Sequence, residues 1–216
     1  MNDKLKSKKS SVRLTVPYFS QVDNNFEPYT ACNVTSLATC LWSLGFRGRG
    51  SQRQFEDELY TRAADNGWNR FSAWGLKALA ESFKGVKDDL TEKGTLQDIR
   101  EAIDEGKLCI VHGFFTEPGH ILVIYNYTDD GFIVHDPYGE WYPWKYDINE
   151  PNGNNKKGQG LEYSKRAITS CCDSWSIGEA KIRYSSMSNL QAEEEADTIW
   201  LHRIYKVYFF INSRPR

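Results

Sequence analysis

The stretch GHILVIYNYTDDGFIVHDP, residues 119–137, decides the fold class. Two runs of apolar and aromatic residues, at 120–127 and 132–136, flank the turn sequence Asp129-Asp130-Gly131, which is typical of a tight hairpin. The preceding run, at 108–115, has the same strand character. We therefore expect an antiparallel sheet in the second half of the chain.

Helical patterns precede this sheet. From Cys32 onward, apolar residues recur every three or four positions, with Gly45 at a favoured C-cap position and Thr30 as the expected N-cap. Further helices are expected at 52–64, 73–83 and 95–105. A final strand pattern covers 198–201 and 204–211. Helices followed by an antiparallel sheet predict an α+β fold, with N-terminal helices packed on the sheet.

Length and composition indicate one globular domain. The 216 residues are 40% hydrophobic and 26% charged, so we assign a single domain to 12–212, after a basic tail at 1–11 that we expect to be disordered. A long insertion is expected at about 147–198. The net charge of -2 argues against a nucleic-acid partner, and no apolar run is long enough to span a membrane. We expect a monomer.

The N-terminal residues and the cysteines suggest a compartment. The N-terminus is basic but no apolar segment follows, so we expect no signal peptide and a cytoplasmic location. The 5 cysteines are odd in number and lack metal-ligand spacing, which favours reduced thiols, including the adjacent Cys171 and Cys172. The histidines also lack ligand spacing, so no metal site is expected.

Cys32 lies where a nucleophilic thiol would be favoured. It falls in the first turn of the first helix, directly after a polar loop. Free backbone N–H groups and the positive end of the helix dipole meet there, and both stabilise a thiolate. Cys40, two turns further along, is expected to be a structural core residue.

A thiolate also needs a base and a group that orients the base. His120 begins one strand and Asp136 ends the next, and alternation along a suitable hairpin would place both side chains on one face. The sequence does not fix this register. His135 should face the other way, His112 is expected to be a core or supporting residue, and His202 to lie at the surface or a sheet edge.

Gln21 and an aromatic cluster are further candidates. The Gln21 amide, in the loop before the Cys32 helix, can donate to a developing oxyanion, although loop glutamines are commonly plain surface residues. The cluster could stack on sugars or form a packed hydrophobic lid. It consists of Tyr138, Trp141, Tyr142, Trp144 and Tyr146.

Four motifs together resemble those of papain-like cysteine peptidases, and among these the branch similar to bacteriocin-leader-processing peptidases. They occur in the family's order at 16–21, 31–38, 119–124 and 135–139. The resemblance covers about 14–146. The later stretch, 161–204, is similar to the tail of some cell-wall-associated and phage-encoded members.

The resemblance implies a papain-like fold and a cysteine peptidase that needs no cofactor. Carried over by motif, Cys32 is the nucleophile, His120 the general base, Asp136 its orienting group and Gln21 the oxyanion donor. Family members commonly have Gly-Pro directly after the cysteine, where this chain has Asn33-Val34. Leader-processing members need a transporter partner domain, which we do not expect in this chain, so the substrate class stays open.

The expected substrate is a peptide or the stem peptide of peptidoglycan. Asn33, Tyr138 and Trp141 are expected to contact it. An endolysin-type endopeptidase of this kind would reach the cell wall through a holin-type route. The alternatives are an intracellular peptide-processing peptidase or acyltransferase, and a binding module on a catalytically decayed fold.

Overall fold

The computed structural model describes residues 15–208, in which helices and strands alternate more than the sequence patterns predict. The helices are α1 (Cys32–Ser43), α2 (Phe55–Asp65), α3 (Ala73–Glu81), α4 (Leu96–Asp104), α5 (Lys165–Cys172), α6 (Ile177–Ser186) and α7 (Asn189–Glu195). The strands are β1 (Val86–Asp88), β2 (Thr91–Gly94), β3 (Leu108–Gly113), β4 (His120–Tyr127), β5 (Gly131–His135), β6 (Gly139–Tyr142), β7 (Lys145–Ile148), β8 (Gln159–Ser164) and β9 (Ile199–Lys206). The expected tail at 1–11 and the ends of two strand patterns, at 12–14 and 209–211, lie outside the described residues.

The main sheet has the order β1-β9-β3-β4-β5-β8, with β2 also paired to β9, and its pairings are antiparallel. The β4–β5 hairpin forms as its turn sequence predicts, with Val123 opposite His135 and a register shift between Ile124 and Asn126. Strands β6 and β7 form a separate two-stranded sheet. The fold is therefore α+β, with an antiparallel sheet.

Helices cover both faces of the sheet. On one face, α1, α2 and α3 bury residues such as Val34, Leu37 and Leu41 against Ile110 and Val123. Burying each such side chain contributes about 2 kcal/mol. On the other face, α4 and α5 pack over the sheet in a second core cluster. The expected packing of N-terminal helices on the sheet is present, and the later helices add a layer that the patterns did not predict.

Several expected boundaries change. Ala31, not Thr30, is the N-cap of α1, and no side chain caps this helix. The two parts of the final strand pattern join into the single strand β9. Part of the interval 147–198 belongs to the sheet and core, because β8 pairs with β5 and α5 is buried against β3.

Candidate active site

Cys32 is the first residue of α1 and lines a cleft of about 580 Å³. Its side chain is partly accessible, whereas the other four cysteines are buried. The first N–H groups of a helix have no backbone carbonyl partner within it and carry the positive end of its dipole. The structure thus places the accessible thiol where negative charge is stabilised.

His120 and Asp136 are in contact. His120 begins β4, Asp136 follows β5, and Nε2 of the imidazole lies 2.7 Å from Oδ1 of the carboxylate, with both side chains buried. Ser36 of α1 donates a hydrogen bond to the carbonyl of Ile121 at 3.2 Å, which joins the Cys32 helix to the strand that carries His120. These contacts bring the thiol, the imidazole and the carboxylate to one end of the sheet.

The surroundings of His120 favour its protonated form. Burial opposes the positive charge, but the Asp136 carboxylate and hydrogen bonding with Cys32 outweigh it and raise the pKa of His120 to about 10. The rings of Phe115, Tyr138 and Tyr146 surround the imidazole. An imidazolium held beside a thiol is the arrangement that supports a thiolate nucleophile.

Asp136 is fully buried and held by several donors. The Tyr138 N–H donates to Oδ1 at 3.0 Å, and the hydroxyls of Tyr146 and Tyr163 donate to Oδ2 at 3.0 and 2.9 Å. Gly158 approaches its backbone so closely that an added Cβ would lie 1.8 Å from the Asp136 carbonyl oxygen. The carboxylate is therefore fixed in the orientation that His120 requires.

Gln21 lies in the cleft wall and is almost fully buried. Its backbone N–H donates to the carbonyl of Pro137 at 2.9 Å, which ties the Gln21 loop to the residue after Asp136. One hydrogen of its side-chain amide is donated to the carbonyl of Pro28 at 2.9 Å. A primary amide carries two hydrogens, so the second is available to an oxyanion.

Arg70 is a site residue that sequence reasoning missed. It precedes α3, yet its guanidinium is buried against the start of α1, where it donates to the Thr30 carbonyl, to Thr30 Oγ1 at 3.1 Å and to Asn33 Oδ1 at 3.0 Å. Burial lowers the pKa of Arg70, although the nearby Cys32 works in the opposite direction. The cation adds to the positive potential at the helix N-terminus. Nothing in the local sequence signals this long-range contact.

The three residues expected to contact substrate have different locations. Tyr138 lines the cleft and is partly exposed. Asn33 also lines it, but its Oδ1 is occupied by the Val34 N–H and by Arg70. The expectation for Trp141 needs correction, because its ring is 7% exposed in the second core cluster and its indole N–H donates to the Phe115 carbonyl. The aromatic cluster around it contributes mainly to packing.

The remaining histidines include one further correction. His202, expected at the surface or an edge, is fully buried and bonded to Asp88, because β9 lies inside the sheet. His135 faces away from Asp136, as expected, with Nε2 3.2 Å from the Val16 carbonyl oxygen. Within residues 15–208, no group of three or more His, Cys, Asp or Glu side chains could hold a metal ion.

Sequence comparison agrees with this geometry. A family model described as the Peptidase_C39 like family matches residues 13–166, which include all four candidate catalytic residues. The chain belongs to the Peptidase_C39 like family. Membership in this family indicates cysteine peptidase activity. No curated protein and no solved structure gives a significant match.

The match to the Peptidase_C39 like family ends inside α5, so α6, α7 and β9 lie beyond it. Several residues from that later part still line the cleft, among them Trp175 and Trp200. In the described part of the chain, no helix has both the length and the apolar character that a membrane span requires.

Proposed function

We propose that the protein is a papain-like cysteine peptidase with Cys32 as nucleophile, His120 as general base and acid, and Asp136 as the group that orients His120. The observation that carries this proposal is the 2.7 Å contact between His120 and Asp136 beside the accessible Cys32 thiol. A helix N-terminus packed against an antiparallel sheet that supplies the histidine supports the papain-like assignment.

The proposed reaction proceeds in two steps. The Cys32 thiolate attacks the carbonyl carbon of the scissile amide, and Gln21 with the Cys32 backbone N–H stabilises the oxyanion. The His120 imidazolium gives its proton to the departing amine, which leaves a thioester on Cys32. Water then attacks the thioester while His120 accepts a proton, and the carboxylic acid product and the free thiol are released.

For the substrate, we propose a peptide and favour the stem peptide of peptidoglycan. Three exposed aromatic rings at the cleft, those of Tyr29, Phe71 and Trp175, support this choice, because flat exposed rings can stack on sugars next to the peptide. We therefore assign the sugar-stacking role to these three rings and not to the cluster around Trp141. Delivery to the wall would follow a holin-type release, as in an endolysin.

The test uses two substrates and two variants. Fluorescein-labelled casein and purified peptidoglycan sacculi are incubated with the wild-type protein, with Cys32→Ala and with Cys40→Ala as a matched control in the same helix. Freed amino groups, turbidity and mass spectrometry report amide cleavage and its position. We expect both substrates to respond only when Cys32 is present.

The two substrates separate the possible outcomes. Cys32-dependent cleavage of sacculi supports the endolysin-type role, whereas cleavage of casein alone supports an intracellular peptide-processing enzyme. Cleavage that survives in Cys32→Ala, or no cleavage of either substrate, contradicts the proposal.

A further inference from the structure

A second aspartate–histidine pair lies on the opposite face of the sheet. His202 of β9 has Nδ1 2.6 Å from Oδ2 of Asp88, at the end of β1, and both side chains are fully buried. On its other side, Nε2 of His202 lies 2.9 Å from Nε2 of His112 on β3. Three strands thus supply a continuous hydrogen-bonded chain from Asp88 to His112.

This chain fixes the ring of His112. The imidazoles of His112 and His202 stack with centroids 5.1 Å apart and planes inclined by 23°, and Trp200 lies against His112 at 5.9 Å. Since a carboxylate only accepts hydrogen bonds, His202 donates from Nδ1 to Asp88 and accepts at Nε2, and His112 donates to it from its own Nε2. The contact with His202 leaves His112 one free ring nitrogen, Nδ1.

The free nitrogen belongs to a neutral ring. Burial and the neighbouring His202 lower the pKa of His112 to about 3, so the ring is uncharged at neutral pH. Among the described residues, Nδ1 of His112 has no hydrogen-bond partner. A neutral nitrogen with a fixed orientation suits an uncharged polar group better than an ion.

His112 also forms part of the wall of the Cys32 cleft. The wall of the same cleft includes Trp175, Thr198 and Trp200, which all lie after the part of the chain that matches the family model, and Trp200 is the one that lies against His112. Ligand clefts are mostly apolar, and a few placed polar groups fix the ligand's orientation. In this cleft, His112 is well placed for that role.

We propose that His112 binds the substrate through a hydrogen bond that its Nδ1 accepts from the N–H of an uncharged amide group, with His202 and Asp88 as positioning residues. The inference rests on the proposed peptidase function and adds a specificity determinant to the same cleft. The amide group belongs to the peptide backbone or to an Asn or Gln side chain.

The kinetic test uses a quenched-fluorescent peptide taken from the casein site that the Cys32-dependent cleavage maps. His112→Leu should raise KM about 3- to 10-fold with kcat changed less than 2-fold. This is the range expected for the loss of one hydrogen bond that is equally strong in the ground state and in the transition state. His112→Asn keeps a polar atom near the position of Nδ1, so its KM should stay close to the wild-type value. The rate at which iodoacetamide alkylates Cys32 should stay the same in both variants.

The outcomes separate this inference from the proposed function. An unchanged KM in His112→Leu, or a loss confined to kcat, overturns the binding role of His112. Retained cleavage in Cys32→Ala overturns the peptidase mechanism instead.

Nuclear magnetic resonance of the histidine rings tests the positioning chain without any substrate. In the resting protein, His112 should show a single neutral tautomer that does not titrate between pH 5 and 8. Asp88→Asn should produce mixed tautomers while the protein remains folded by its amide spectrum. A His112 ring that titrates near its ordinary pKa in the wild type overturns the inference.

Discussion

Replacing Asp136 by Asn tests the electrostatic coupling on which the proposed mechanism depends. With its ordinary pKa of 6.5 raised to about 10, His120 keeps its proton in the folded protein at pH values where the unfolded chain has lost it. The stability that this proton provides is complete below about pH 6.5 and is lost as the pH rises towards 10. Asp136→Asn removes the carboxylate that raises the pKa, so most of this pH dependence should disappear.

The size of the effect follows from proton linkage. A folded state that holds one more proton than the unfolded state loses about 1.4 kcal/mol of stability per pH unit. Because Cys32 and His120 share their protons, both proteins carry Cys32→Ala. Between pH 7.5 and 9.5, the protein with Asp136 should lose up to roughly 3 kcal/mol more than the protein with Asp136→Asn does. This window lies above the raised pKa of Glu56, about 7, so that group does not interfere.

The assay is urea unfolding followed by tryptophan fluorescence, at several pH values in the window. The four buried cysteines also titrate on unfolding in this range, but they do so equally in both proteins and cancel in the difference. Asp57→Asn in the same background, at a buried carboxylate that binds backbone N–H groups of residues 25 and 26, is the matched control and should keep the pH dependence of the protein with Asp136. In the Cys32→Ala background, parallel pH profiles for the proteins with Asp136 and with Asp136→Asn would refute the coupling between Asp136 and His120.

Three further predictions test the thiol and its supports. At neutral pH, iodoacetamide should modify Cys32 ahead of the four buried cysteines, as peptide mass mapping would show; equal modification of the others would contradict the site assignment. Gly158→Ala should lower the unfolding free energy by about 3 kcal/mol because its Cβ would overlap the Asp136 carbonyl, whereas Gly178→Ala, in an open helical position, should change it by about 1 kcal/mol or less in urea titrations. Arg70→Met should destabilise the fold by about 2 kcal/mol and slow the alkylation of Cys32. If the cation acts on the thiol, Cys32 should be alkylated faster in Arg70→Lys, which keeps the charge, than in Arg70→Met.

The local parts of the site could be predicted from the sequence because they depend on short-range rules. The start of α1 at Cys32 follows from helical periodicity after a polar loop. The contact between His120 and Asp136 follows from strand alternation across one hairpin, although the register shift in that hairpin could not be foreseen. The catalytic roles of these residues remain predictions that the experiments above test.

The supports of the site could not be predicted, because they come from distant segments. Tyr163 reaches Asp136 from β8, and Arg70 reaches the start of α1 from the loop before α3. The burial of His202 could not be predicted, because the last strand pattern gives no sign of its neighbours. In the fold, β9 lies between β3 and the pair β1 and β2. The burial of Trp141 could not be predicted, because a dense aromatic segment fits a packed core as well as a binding surface.

The two aspartate–histidine pairs show how neighbouring groups decide what such a pair can do. Asp136 and His120 lie beside an accessible thiol, and the raised pKa of His120 lets it hold and deliver a proton. The other pair, Asp88 and His202, ends on His112, whose pKa is lowered to about 3, so that ring cannot accept a proton at neutral pH. The same residue types therefore suit proton transfer on one face of the sheet and the orientation of a neutral hydrogen-bonding group on the other. If both pairs serve one substrate, variants of the first should act on kcat and variants of the second on KM.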